Sequence, residues 1–140
     1  MLRLDFEDAS PIDGDDAQTY LSFIEKKLNE SMDCVIISDY GKGSCTEYAC
    51  QRIIRLAHDH GVPVIVDPKG VQWAKYKDAD YITPNLKEIN EILLEPIAND
   101  DFDVEKAACY AMRKFSLRNL LLTRSEKGLS LIHGDEVVHI

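Results

Sequence analysis

Four short apolar runs, separated by stretches with helical periodicity, constrain this chain more than anything else in it. The runs are Cys34-Val35-Ile36-Ile37, Val62 to Val66, Tyr81-Ile82-Thr83 and Asn119 to Thr123. Unbroken apolar runs of this length read as strands covered on both faces, as in a parallel sheet. Between them the period changes. Ala17 to Asn29 carries Tyr20, Leu21, Phe23, Ile24 and Leu28 on one side of a helix. Thr46 to His60 turns Ile53, Ile54, Leu56 and Ala57 inward and stops at Gly61. Asn85 to Leu94 and Val104 to Phe115 predict two more helices, Trp73 to Tyr76 a single helical turn, and the acidic stretch Glu95 to Asp103 a surface connection. Leu2 to Glu7 alternates apolar and polar residues, which predicts a half-exposed strand, and residues 8–16 form a loop. After the fourth run, Ser125 to Gly128 is a turn, Leu129 to Ile132 a strand, Gly134-Asp135 a second turn, and Val137 to Ile140 begins a further strand. This alternation predicts an α/β fold in one domain over residues 1–140. It would have three layers: a mostly parallel sheet with helices on both faces.

Charge narrows the partners. The net charge is −9, so a basic face able to neutralise a nucleic-acid backbone is not expected. The imbalance is local. Residues 1–33 hold nine acids against three bases, and residues 34–92 hold eight against seven. An anionic ligand therefore belongs in the middle or the C-terminal third. No apolar run approaches the ~20 residues of a membrane span, so a cytoplasmic protein with no membrane partner is expected. Cys34, Cys45, Cys50 and Cys109 form no CxxC pair and no zinc spacing. They read as small packed residues in a reducing compartment. Cys45, after a glycine-rich loop, is the candidate for a reactive thiol, although no paired histidine base is evident.

Ligands of parallel sheets bind at the C-terminal ends of the strands, and four notable loops lie there. Each has two readings. In Asp39-Tyr40-Gly41-Lys42-Gly43, the glycines can aim backbone N–H groups at an anion and Lys42 adds charge, or the loop is a plain glycine turn. In Asp67-Pro68-Lys69-Gly70, Asp67 could hold a hydroxyl and Lys69 a phosphate, or the four residues are a type I turn. Asn85 and Glu88, three apart, form a helix capping box. They also place an amide and a carboxylate where Mg²⁺-bound water and nucleotide phosphate could sit. Thr123 to Gly128 is a hairpin turn, or a set of short donors beside Arg124 and Lys127 that suits phosphate oxygens. His58 and His60 sit at a helix C-terminus, where cations are favoured. Neither these nor His133 and His139 make a metal site by spacing. Trp73 and Tyr76 either cover the sheet or stack a base.

Taken in order, "VIISDYGKG", "GVPVIVDPKG", "YITPNLKE" and "NLLLTRSEKGLSLI" resemble the ribokinase-like carbohydrate kinases, which share a Rossmann-like core. Within them the strings are most similar to the branch acting on heptose 7-phosphate, and the likeness runs from about Leu2 to Val138. The resemblance implies transfer of a phosphoryl group from ATP, with Mg²⁺, to the sugar's anomeric hydroxyl, a step toward the ADP-heptose of lipopolysaccharide. It places Asn85, Glu88, Thr123, Ser125, Glu126 and Gly128 near nucleotide phosphate, with Glu88 acting on Mg²⁺ through water. Asp39, Lys42, Asp67 and Lys69 would line the cleft between sugar and phosphates. The family's catalytic Asp belongs to a Gly-Ala-Gly-Asp motif that these residues lack, and the sugar-binding and lid segment is missing too. The expectation is the central part of a kinase domain, without a catalytic residue and inactive alone, that self-associates or dimerises through its sheet edge. Two alternatives stand beside it: a non-catalytic nucleotide-binding or interaction module derived from such a kinase, and a kinase for another sugar.

Overall fold

The computed structural model describes residues 8–134 and 136–140. The strand expected over residues 2–7 and the turn residue Asp135 lie outside them. The chain begins with α1, Gly14–Leu28. Asp15 and Asp16 in its first turn and Lys26 and Lys27 in its last suit the helix dipole. Next come β1, Val35–Ser38, and α2, Glu47–Asp59. The hydroxyl of Thr46 caps α2 by accepting the Ala49 N–H at 3.1 Å. β2, Val64–Asp67, leads through a 3-10 turn, Trp73–Tyr76, to β3, Tyr81–Ile82. Two helices follow, α3, Leu86–Glu91, and α4, Asp101–Phe115. The last strands are β4, Asn119–Thr123, β5, Leu129–His133, and β6, Glu136–His139. A 3-10 turn, Ser125–Lys127, joins β4 to β5.

The six strands lie side by side in chain order. β1 to β4 are parallel, and β5 and β6 return antiparallel. The α/β class and the mostly parallel sheet are as the sequence predicts. Among the described residues, the helices in contact with the sheet gather on its better-buried face. A right-handed crossover that always steps in the same direction always lands on the same face, and a sheet is covered on both faces only when its strand order reverses. Here the order never reverses. α2, the Trp73–Tyr76 turn and α4 form one neighbouring layer, with α1 against α2. Ile37, Val66, Ile82, Leu120 and Ile132 point into that layer and are buried. The alternate residues face away. Ile36 is 65% exposed and Val138 48%, and Ile65, Tyr81, Leu121 and Leu131 are half-buried.

Trp73 and Tyr76 are fully buried in the helix layer, Trp73 packing on Phe115 with ring centroids 5.8 Å apart. This burial takes both rings out of reach of a stacking base.

Candidate functional site

Parallel strands deliver their C-terminal ends to one rim. Ser38 and Asp67 end β1 and β2 in register, and the Ser38 hydroxyl donates to Asp67 Oδ2 at 3.2 Å. Lys69 follows on an exposed loop, its Nζ 3.8 Å from Glu88 Oε1. Asn85 pairs with Thr123 as an isolated parallel bridge, and the Thr123 N–H donates to the Pro84 carbonyl at 3.0 Å. Asp67, Lys69, Glu88, Asn85 and Thr123 therefore share a single shelf.

The capping box is formed. Asn85 Oδ1 accepts the Glu88 N–H at 2.9 Å, and Glu88 Oε2 accepts the Asn85 N–H at 3.0 Å. The cap engages one carboxylate oxygen and leaves Oε1 beside Lys69. Structural and chemical readings of Asn85 and Glu88 are thus compatible, because they use different atoms.

Other candidates are placed differently from the cleft that the resemblance implies. Asp39 is buried and triply bonded: Oδ2 accepts from Lys75 Nζ at 2.5 Å and from the Tyr76 hydroxyl at 2.6 Å, and Oδ1 accepts the Gly41 N–H at 2.7 Å. It pins its own loop and uses up an N–H that could have met an anion. Gly43 has φ +86°, and a Cβ there would stand 2.1 Å from the Ser10 carbonyl oxygen. Close passage of residues 9 and 10 thus accounts for this glycine. Lys42 is exposed. The loop still borders the rim, since a Cβ on Gly41 would touch Lys69 Cγ at 3.8 Å.

At the β4 end, Ser125 and Glu126 are exposed in the 3-10 turn and Gly128 is exposed just after it. A Cβ on Gly128 would come within 1.9 Å of the Ile140 carbonyl oxygen, so pairing with the last residue requires glycine. The neighbouring cations turn away from the rim. Arg124 is 1% exposed. Its Nε donates to Asn99 Oδ1 at 2.9 Å, and its Nη1 donates to Asp101 Oδ1 at 2.6 Å and Ser130 Oγ at 3.0 Å. Lys127 Nζ donates to the Asn99 carbonyl. Of the basic side chains on these loops, Lys69 has its ammonium at the shelf.

Two clusters escaped sequence reasoning. The Arg124 network joins the start of α4 to β5 and β6. At the opposite end of the strands, Asp80 accepts from Arg118 Nη1 at 2.7 Å and from the Val64 N–H at 2.8 Å, and pairs with His58 Nε2 at 2.8 Å. Burial pushes the Asp80 carboxyl up, but the Val64 N–H, His58 and Arg118 outweigh it and hold it below its ordinary value. No short spacing marks either cluster.

Among the described residues, no group of three His, Cys, Asp or Glu side chains is placed to chelate a metal. The shelf offers hard oxygen donors, Asp67 and Glu88 Oε1, beside a lysine and an amide. That donor set fits a cation carried by a ligand's phosphates and touched through water. It does not fit a resident, protein-chelated ion. Such a shelf can neutralise and position phosphate oxygens, the work of a phosphoryl-transfer site.

An open α/β sheet with oxygen donors and a lysine along its C-terminal rim is an architecture that small-molecule phosphotransferases share with other enzymes. The family model described as pfkB family carbohydrate kinase matches residues 9–140, and the chain belongs to that family. It is 36% identical over 139 residues to the bifunctional protein HldE of Syntrophotalea carbinolica, covering 98% of this chain and 28% of that protein. It is 37% identical over 141 residues to the HldE of Trichlorobacter lovleyi, covering 100% and 28%. The chain thus spans 28% of the length of these curated relatives. Escherichia coli phosphofructokinase-2 in complex with potassium superposes with TM-score 0.71 at 16% identity, covering 93% of this chain and 42% of that one. Arabidopsis thaliana ribokinase complexed with ribose and ATP superposes with TM-score 0.65 at 18% identity, covering 94% and 40%. Both likenesses support the ribokinase-like fold. No helix among the described residues is long and apolar enough to cross a membrane.

Proposed function

We propose that this chain supplies the nucleotide-phosphate shelf of an ATP-dependent sugar kinase acting on heptose 7-phosphate, and that these 140 residues do not turn over by themselves. The observation carrying the proposal is the division of labour at Glu88: Oε2 is bound into the cap and Oε1 faces Lys69. In this reading Lys69 neutralises a phosphate oxygen, the Asn85 amide nitrogen donates to another, and Glu88 Oε1 accepts from a water on the nucleotide's cation. When bound, Mg²⁺ neutralises the charge that builds up on the transferring phosphoryl group. Thr123 and Asp67 serve the same shelf as lesser hydrogen-bonding groups, and Ser125, two residues beyond Thr123, would reach it from the following turn. The HldE relatives and the "SDYGKG", "DPKG" and "TRSE" strings support heptose 7-phosphate as the acceptor. In this reading none of the shelf residues is given the task of deprotonating the sugar hydroxyl, a step worth roughly 10²–10⁴-fold in rate.

Calorimetric titration of the chain with ATP, with and without Mg²⁺, tests the shelf, using Glu88→Gln. Glutamine keeps the capping box and removes the charge. Mg·ATP affinity should fall about tenfold, roughly 1.4 kcal/mol, whereas free ATP should bind equally well or better once a carboxylate facing phosphates is gone. Equal loss in both arms would sink the role given to Glu88. Release of ADP from Mg·ATP with heptose 7-phosphate, at the rate of a complete kinase, would overturn the claim of inactivity.

A further inference from the structure

Cys45 and Cys50 stand apart from the phosphate shelf and play no part in it. Cys45 lies one residue before Thr46, the cap of α2, and Cys50 is the fourth residue of that helix. Side chains at these two positions meet over a helix's first turn, where apolar pairs often staple the entry of the chain. Here the staple is a pair of thiols, close enough that each shifts the other's proton affinity. Cys50 is fully buried and Cys45 partly exposed, so an outside reagent reaches Cys45 first.

The groups around Cys45 come from three elements. Cys50 of α2 is its neighbouring thiol, and the Ser44 hydroxyl lies 4.0 Å from its sulfur. Lys75 Nζ donates to the Cys45 carbonyl at 3.2 Å while also holding Asp39. Tyr20 of α1 is close enough that, after burial, the two thiols push its hydroxyl up. The Cys50 thiol outweighs burial and the Asp39 carboxylate, and the Cys45 thiol is pushed down to about 7. The Cys50 thiol is pushed up by the same contact and by burial. One member of the pair is thus ready to act as a thiolate while the other keeps its proton.

We propose that Cys45 and Cys50 form an oxidation-sensitive dithiol, which a hydroperoxide converts to an intramolecular disulfide beside the Asp39–Gly43 loop. The Cys45 thiolate attacks one peroxide oxygen. The O–O bond breaks, Cys45 becomes a sulfenic acid and the other oxygen leaves as hydroxide or alkoxide. Cys50 sulfur then attacks Cys45 sulfur, the S–O bond breaks, and the departing hydroxide leaves as water with the Cys50 proton. Two thiols lose two electrons in total, and one peroxide gains them. This inference stands whether or not the shelf binds phosphate.

Both cysteines fall in one tryptic peptide, Gly43 to Arg52, so the test is direct. The reduced chain is treated with equimolar hydrogen peroxide at pH 7, alkylated, digested and weighed. That peptide should become two hydrogens lighter, refuse alkylating reagent at both cysteines, and recover with dithiothreitol. A thiolate share of about one half, against about 3% for an ordinary cysteine, is a roughly 15-fold gain, and weaker nucleophilicity returns about fivefold of it. Cys45 should therefore oxidise about threefold faster than exposed Cys34, and this preference should vanish in urea. In Cys50→Ala, Cys45 should stop at a dimedone-trappable sulfenic acid. If that variant does not fold, Cys45→Ser, at the more exposed position, should leave Cys50 fully alkylatable after peroxide. Faster oxidation of Cys34, a Cys45 preference that persists in urea, or over-oxidised Cys45 beside alkylated Cys50 would each overturn the proposal.

Discussion

Asp39 shows how one residue can organise a loop that local spacing cannot explain. Burial pushes its carboxyl up, but Lys75, Tyr76 and the Gly41 N–H outweigh that and hold it below its ordinary value. Charge-assisted hydrogen bonds in a buried setting are the strong kind, and breaking such a set leaves Lys75 short of its counter-charge. Asp39→Asn should cost about 2–3 kcal/mol at neutral pH. A depressed carboxyl stabilises the fold above its unfolded value, near 3.8, and that share is lost as pH falls through the folded value. The gap in urea midpoint between Asp39→Asn and the parent chain should therefore be wide at pH 7 and narrow from about pH 5 downward. A gap of equal width at pH 7 and pH 3 would assign the effect to shape and not to charge. The same residue marks where sequence reading ends. Asn85 and Glu88 are three apart, so their cap could be read directly. Asp39 meets Lys75 and Tyr76 at separations of 36 and 37 residues, and Arg124 meets Asn99 at 25. Only the crossover connections bring those groups together, and they turn two expected ligand contacts into internal ones.

At the scale of elements, what was legible depended on apolar pattern. β4 and the Trp73–Tyr76 turn have the bounds expected, and α2 differs by one residue at each end. α4 starts three residues before its expected position, at Asp101. Its first turn has no inward apolar residue before Val104, so periodicity cannot see it, and it is held instead by the Asp100 carboxylate accepting the Asp103 N–H at 3.0 Å. The other end of α4 closes unusually. Ser116 is left-handed, with φ 53° and ψ 49°, and the Leu117 N–H reaches back to the Met112 carbonyl at 3.0 Å, a closure that glycine favours. A serine there carries left-handed strain of roughly 1–2 kcal/mol, while glycine adds back some chain entropy. Ser116→Gly should therefore stabilise the chain by about 0.5–1 kcal/mol. A higher urea midpoint at unchanged slope would show it, and a lower midpoint would mean that the serine side chain, though exposed, does something the backbone argument leaves out.

The whole molecule is governed by its strand order, which the apolar runs could not disclose. A run such as Val35 to Ile37 reads as covered on both sides, yet strictly sequential winding covers one side, and Ile36 remains 65% exposed. With Ile65, Leu121, Leu131 and Val138 it lies on an apolar sheet face. Six strands about 4.8 Å apart and about four residues long give that face roughly 400 Å². A standard interface needs about 800 Å² from each partner. We therefore expect a second copy of this chain to dock there, weakly, helped by β1, which is an edge strand among the described residues. The net charge of −9 opposes that contact at low ionic strength, and salt screens the repulsion within about 10 Å at 0.1 M. Sedimentation equilibrium should show monomer at about 10 µM and growing association at hundreds of micromolar, stronger as salt rises, as expected for half a standard interface. Ile36→Lys replaces an exposed side chain, so it should change stability by no more than about 0.5 kcal/mol while removing most of the association. A parent chain that stays monomeric across that range at high salt, or an Ile36→Lys chain that associates as before, would show that this face is not where copies meet.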